Sequence, residues 1–479
     1  MEHYYRNEYL FSEIYLREIT EVEEEAEVTA TLSSLKEYRD YAGTSSLSEW
    51  NESFVHEILK ALGFGVRPKD DNIALLHQLG SPEQTISLIY SLLLAEDLDN
   101  TTMGRNWAEK IIRNLRDNNL KWGILTNGDK WRIYHTEEPT PYENYLEIDL
   151  AEILKRGDVR QFQIFHKFMK AANFVVNEAS ECQFDVFKKE SQDKINYIEE
   201  ELRNALKQKE EGGKGILSNI CMGYVEYLRK TGKSDFSSDD LRDTIYKGAM
   251  LYMFRLLFLF YAKARGLISD KDRDSFNSIL QTAKGSYEKS ESTNESYELW
   301  VRLRDIFANI DLTYNGGLFN PDGNKFIEDN KISDSYLMPS LYFMTYYQDK
   351  VGKSSPISYR DMGVRHLGSL YEGLLEHKLF VAEEDTEVTV SKKEIKFIPV
   401  SEGGKITQGK YIPSGQVYFG SDKWERKSTG SYYTPENVVD YIVNDTVRKK
   451  LEVLECSFSS KLSVNPVSRG AKFITKLFM

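Results

Sequence analysis

Asparagine followed by glycine between two apolar runs narrows the folding options of this chain more than any other feature. Residues 122–128 (WGILTNG) read as a strand entering a tight turn, and 130–135 (KWRIYH) as the strand returning from it. Asn-Gly is the strongest short-range hairpin signal because both residues tolerate positive φ. Trp122 and Trp131 flank the turn and are expected to pack across the two strands, a contact type that contributes roughly 0.2–1 kcal/mol. The surrounding 150 residues alternate helix and strand. Residues 50–66 place Phe54, Ile58, Leu59 and Leu62 at helical spacing and end at Gly63 and Gly65. Residues 86–95 form a continuous apolar run of buried-strand length, 104–120 read as a helix, and 145–150 as a further strand. A compact α/β domain is the expected result.

Ahead of that domain, residues 4–20 read as an aromatic-rich helix or an extended arm. An acidic run follows at 21–27, then a polar connector to about residue 48. After residue 151 long helical stretches dominate to about 310, with a Gly-Gly break at 212–213. The most apolar stretch, 249–264, is interrupted by Arg255 and Lys263 and falls short of a membrane span. It reads as a central buried helix whose two long cationic side chains reach outward. Residues 364–380 are amphipathic, with Leu367, Leu370, Tyr371, Leu374 and Leu375 on one side, and 381–420 read as a β arm. The segment 429–450 reads as a turn followed by a helix, with Pro435 and Glu436 at its start.

The net charge of -13 argues against a general nucleic-acid coat, which needs a positive field. A local basic groove on an acidic body remains compatible with it. The cysteines Cys182, Cys221 and Cys456 form no CxxC pair, and the histidines no HxH or HxxxH group, so a Cys/His zinc site is not expected. His366 is expected to be a satisfied interface residue. The opening residues have neither a basic leader nor a long apolar core. A cytoplasmic protein without a membrane partner is the expectation.

Four stretches in order resemble one family. WGILTNGDKWRIY at 122–134 resembles the signature of the nuclease-like domain of fused restriction-modification enzymes. YNGGLF at 314–319 resembles a piece of their helical connector, and DMGVRHLGSLYEGLLE at 361–376 the segment before their methyltransferase domain. STGSYYTPENVVDYIV at 428–443 resembles the opening motif of adenine-N6 DNA methyltransferases. Together they are similar to the front part of the type IIG restriction enzymes and related phage-defence methylases. The resemblance implies a multidomain α/β plus mainly helical chain: a restriction-endonuclease-like α/β domain at 1–165, a helical connector at 166–360, and at 361–479 a pre-methyltransferase segment with the start of a Rossmann-like domain.

It also implies sites. Tyr433, Thr434 and Pro435 would stand beside S-adenosylmethionine, where a helix N-terminus attracts its carboxylate; a plain N-cap by Thr434 with Pro435 at the first position explains the same residues. The glycine-rich cofactor loop is matched by Asn465, Pro466, Gly470 and Phe473, but Arg469 and Ala471 occupy glycine places. Side chains there obstruct the close backbone approach that glycine permits. The family's Asn/Asp-Pro-Pro-Tyr/Phe motif, which holds the flipped adenine in relatives, does not occur. A shortened gene product and a fragment both fit.

For the nuclease, the resemblance implies a strand-borne Asp and then Glu-x-Lys around Mg²⁺. The Glu and Lys places fall on Tyr90 and Leu92, and the Asp place on Asp71 or Asn72. Asp71 and Glu96 are the candidate metal carboxylates, with Glu57 in support and Glu96, Glu83 and Asp97 as the displaced candidates; that all are solvated surface acids is the favoured explanation. The expected function is that of a truncated member of a DNA restriction-modification system, or an inactive DNA-binding or protein-binding relic of one. Its expected partners are double-stranded DNA and other restriction or defence subunits.

Overall fold

The structure is a computed structural model. It describes residues 4–19, 26–41, 46–100, 106–138, 140–206, 215–233, 235–289, 296–314, 317–348, 352, 354–362, 364–372, 374, 377–391, 394–407, 411–421 and 436–450. Residues 1–420 make one compact unit and 421–479 another.

The first unit opens with strand β1 (Tyr5–Glu8) and helices α1 (Glu13–Ile19) and α2 (Ala26–Tyr41). Next come α3 (Leu47–Trp50), a π-helical turn (Asn51–Val55) and α4 (His56–Ala61). Strands β2 (Phe64–Pro68), β3 (Ile73–Gln78) and β4 (Ser81–Ser91) form an antiparallel meander. Helix α5 (Trp107–Asp117) then crosses over to β5 (Trp122–Thr126), which runs parallel to β4. The chain returns antiparallel through β6 (Lys130–His135) and β7 (Tyr145–Asp149). The resulting seven-stranded mixed sheet has the order β1-β7-β6-β5-β4-β3-β2.

Strand alternation gives this sheet two buried faces. Ile73, Leu88, Tyr90, Leu125 and Tyr134 point toward α5 and meet Trp107, Ile111, Ile112 and Leu115. Gly123 lets the helix approach, since a Cβ there would lie 2.7 Å from a Leu115 methyl. Leu76, Ile89, Ile124, Trp131, Ile133, Leu146 and Ile148 point the other way. They pack against α2, α4, α6 (Leu150–Arg156) and α7 (Val159–Met169), and against the first turns of α8 (Gln183–Leu206). Residues 26–41, read as connector, are therefore a helix that buries Val28, Leu32 and Leu35.

The hairpin at 122–135 is present, but its turn works differently from the expectation. Gly128 has φ 89°, whereas Asn127 is not among the residues with positive φ. Asn127 contributes through its side chain: its Oδ1 accepts the N–H groups of Asp129 (3.2 Å) and Lys130 (2.9 Å). The Trp50 indole donates to Asn127 O and the Trp131 indole to Gly128 O, both at 3.0 Å. A Cβ on Gly128 would sit 2.3 Å from the Trp50 ring. Trp122 pairs with His135, not Trp131, and stacks on its imidazole at 4.2 Å between centroids.

The remainder of the unit is a helical bundle. It comprises the second half of α8, α9 (Ile216–Lys230), α10 (Asp239–Ala264), α11 (Asp270–Glu288), α12 (Glu298–Tyr314), α13 (Lys325–Asp329) and α14 (Asp334–Thr345). Helix α10 is long and apolar enough to cross a membrane, and 72% of its most apolar window is buried inside the protein. Arg255 does not reach outward. It is 1% exposed, pairs with Glu328 at 2.7 Å, and donates to Leu318 O at 2.9 Å. A buried guanidinium needs such partners, and the backbone of the YNGGLF segment supplies one.

Strands β8 (Tyr346–Gln348) and β9 (Ser354–Pro356) form a small hairpin before α15 (Val364–Glu372). This helix is shorter than the amphipathic pattern to residue 380, because 377–381 already form β10. His366 of α15 is buried, with its Nε2 3.7 Å from Glu199 of α8. The β arm is present as β10 (His377–Val381) paired with β14 (Val417–Ser421), and β11 (Thr386–Ser391) between β12 (Glu394–Pro399) and β13 (Tyr411–Ile412). In the second unit, α16 (Glu436–Val443) begins at Glu436 and exposes Val438, Val439, Tyr441, Ile442 and Val443.

Candidate functional site

The carboxyl ends of the parallel pair β4 and β5 meet the start of β3, and ligands of α/β sheets favour that kind of edge. Three short contacts fix the edge. Ser91 N donates to Asn72 O at 2.7 Å, the Asn72 amide donates to Ser91 O at 2.8 Å, and Leu92 N donates to Thr126 O at 2.8 Å. The turn before β3 is shaped by Asp70, whose Oδ1 accepts the N–H groups of Asn72 (2.9 Å) and Ile73 (2.8 Å). Short Asp side chains stabilise turns in this way.

Tyr90 lies opposite Ile73 on one side and Leu125 on the other, 6% exposed, its ring 6.0 Å from that of Trp107. Burial pushes its hydroxyl above the ordinary phenol range, and the negative charges of Asp70 and Glu96 push it further. Asp71 stands exposed in the same turn, one residue beyond Asp70. Glu57 is half-buried on α4, whose apolar residues pack on the opposite face of the sheet. Glu83 and Asp97 are exposed. Asp70 was not singled out in the sequence, although an Asp two residues before Asn, at a strand start, is a turn signal.

Leu92 is 1% exposed and packs into the α5-side core. Lys110 of α5 places its Nζ 4.4 Å from the centroid of the Trp107 ring, and Lys69 precedes Asp70 in the turn before β3, its N–H donating to Ile73 O at 2.8 Å. From Tyr90 the same row of the sheet continues through Leu125, Arg132, Glu147 and Arg6. Arg132 is 2% exposed and bonds Glu147 at 2.5 Å and Asp99 at 2.7 Å, while Arg6 reaches Asp99 at 3.1 Å. Burial alone would raise the Asp99 carboxyl, but Arg132 and Arg6 outweigh it and hold it below the usual carboxylate range. The acids of this row are therefore matched by guanidinium groups.

Among the described residues, no group of three or more His, Cys, Asp and Glu side chains is arranged to hold a metal ion. Mg²⁺ asks for near-octahedral oxygen ligands at short range, and the surroundings of Tyr90 do not fit that demand. The candidate cofactor residues Tyr433, Thr434, Pro435, Asn465 and Gly470 lie outside the described residues. Comparison of the chain with protein-family models, with curated proteins and with solved structures gives no match.

Proposed function

We propose that the chain is the front part of a restriction-modification or phage-defence protein, and that its nuclease-like sheet body engages duplex DNA without cutting it. One observation carries the reading. The meander β2-β3-β4, the crossover α5 and the parallel strand β5 make a mixed α/β sheet body compatible with the nuclease-like reading, and the places where the family resemblance puts Glu and Lys hold buried Tyr90, on β4, and Leu92, just past its end. Two carboxylates near a phenol, without a strand-borne lysine, supply neither a full cation site nor a group to activate water.

The test is a binding and cleavage assay on a DNA duplex with the purified chain. Binding is expected to weaken steeply between about 50 and 200 mM salt, as phosphate contacts do. No cleavage is expected with Mg²⁺ or Mn²⁺. Metal-dependent cleavage abolished by Asp71→Ala or Glu96→Ala would overturn the non-cutting reading and assign that carboxylate to the metal. Absence of binding at about 50 mM salt would instead favour a helical scaffold for protein partners, such as other defence subunits. S-adenosylmethionine, the cofactor of complete relatives, is proposed to bind weakly or not at all, because Arg469 and Ala471 occupy glycine places.

A further inference from the structure

A cavity of about 250 Å³ opens in the helical bundle where the turn from α10 to α11 meets the end of α12. Its lining joins buried and exposed apolar groups. Ile268 and Ile310 are buried, whereas Leu267 and Tyr314 are 50% and 55% exposed. The Tyr314 hydroxyl donates to Leu267 O and so ties the end of α12 to the turn. The charge in the lining is the half-buried carboxylate of Asp272. Its Oδ2 accepts the Ser269 hydroxyl at 2.6 Å and its Oδ1 the Asn309 amide at 3.0 Å. A carboxylate has about four acceptor sites, so these two bonds hold Asp272 in place and leave it able to accept more.

The helix ends around the cavity sharpen its sign. The C-terminus of α12 carries the negative end of the helix dipole, which a basic residue in the last turn usually complements. No basic residue stands in that turn of α12, and Asp311 does. The start of α11 is the positive end, but Ser269 already caps it and Asp270 and Asp272 occupy its first turn. An anion would meet the Asp272 carboxylate; a cation is drawn to it. The volume lies below the roughly 300–1,000 Å³ of pockets for drug-sized ligands, so it suits one slender group.

We propose that this cavity binds a primary alkylammonium group, carried by a lysine of a partner protein or by a free aliphatic amine. The ammonium pairs with Asp272 near the carbonyl end of α12. The alkyl stem packs on Leu267, Ile268 and Ile310, and the Tyr314 ring adds its attraction for a cation.

Methyl NMR on the full chain tests this, with n-butylammonium as probe and 1-butanol and butyrate as its neutral and anionic counterparts. The methyl signals of Leu267, Ile268 and Ile310 are expected to shift saturably with butylammonium, and to need roughly tenfold or more of either counterpart. Asp272→Asn is expected to weaken butylammonium by a similar factor, leaving Leu256 and Leu303 of the bundle core at their original positions. Tyr314→Leu, which keeps the apolar wall, is expected to weaken it about threefold. An equal response to butanol, a stronger one to butyrate, or no saturable shift at these three residues would overturn the proposal. So would full affinity in both variants. Acetyl-Ala-Lys-Ala-amide and spermidine then separate the sources. Tighter binding of the peptide assigns the site to a partner's lysine and tighter binding of spermidine to a free amine, while binding of neither would also overturn it.

Discussion

At the scale of single residues, the sequence signals buried groups poorly when their partners are distant. Arg255 interrupts an apolar run, and the usual reading sends such a side chain to the surface. Its partners, Leu318, Asn320 and Glu328, lie 63, 65 and 73 residues away, so nothing local announces them. Removing it leaves Glu328 and two carbonyls unpaired. Arg255→Ala is expected to cost about 3–5 kcal/mol in urea unfolding, and Arg255→Met with Glu328→Gln to recover part of that loss. Equal stability of wild type and Arg255→Ala would show that the pair contributes nothing. Asp361 offers a pH-dependent counterpart. Burial pushes its carboxyl up to about 6, against the N–H groups of Glu13 and Ile14 and the Ser358 side chain, which pull it down. A carboxyl whose pKa is raised on folding stabilises the fold in its protonated form. That contribution is complete below about pH 4, is lost as pH rises toward 6, and amounts to about 3 kcal/mol. Asp361→Asn keeps an acceptor and removes the titration. Relative to wild type it should therefore gain stability between pH 4 and pH 7, and parallel pH profiles would refute the assignment.

At the scale of elements, legibility followed periodicity. The hairpin, the crossover helix and the buried helix α10 each carry a strong local pattern and were readable. Helix α2 was not, because its buried positions Val28, Leu32 and Leu35 are spread among polar residues. The Asn-Gly turn was readable as a turn but not as a docking point, since its Trp50 partner lies 77 residues upstream of Asn127. The candidate site was legible mainly by what it lacks. The resemblance located Tyr90 and Leu92 at and just past the end of β4, but only the fold shows that the negative charges of Asp70 and Glu96 act on Tyr90. This has a consequence for engineering. Tyr90→Glu would place a third carboxylate beside those two. Without metal, the added charge in a buried place should destabilise the chain by about 2–4 kcal/mol. With millimolar Mn²⁺ part of that loss should return, read as a rise in melting temperature that the wild type does not show. A variant indifferent to Mn²⁺ would mean that the three side chains do not converge.

At the scale of the whole molecule, the boundary between the sheet body and the bundle runs along a helix. In α8, Phe184 and Phe187 belong to the sheet core, and Ile198, Leu202 and Leu206 to the bundle core. The sequence changes texture near residue 151, where strands give way to helices, and the resemblance puts the domain boundary at 165. Packing carries the sheet core some twenty residues further, since α7 and the start of α8 cover its second face. A continuous helix shared by two cores transmits order only if its middle stays helical. Asp193 sits in that middle, exposed. Proline there removes a backbone hydrogen bond and clashes with the preceding turn, at a cost of about 3 kcal/mol or more. Alanine at the same place keeps the helix and its higher propensity. Asp193→Pro is therefore expected to lower the urea midpoint and to spread the unfolding of the two cores into separable steps, followed by Trp122 and Trp131 for the sheet and Trp300 for the bundle. Asp193→Ala should unfold as the wild type does. If the proline variant kept a single sharp transition, the coupling would have to run through the packed surfaces alone, and the shared helix would be a connection without mechanical consequence.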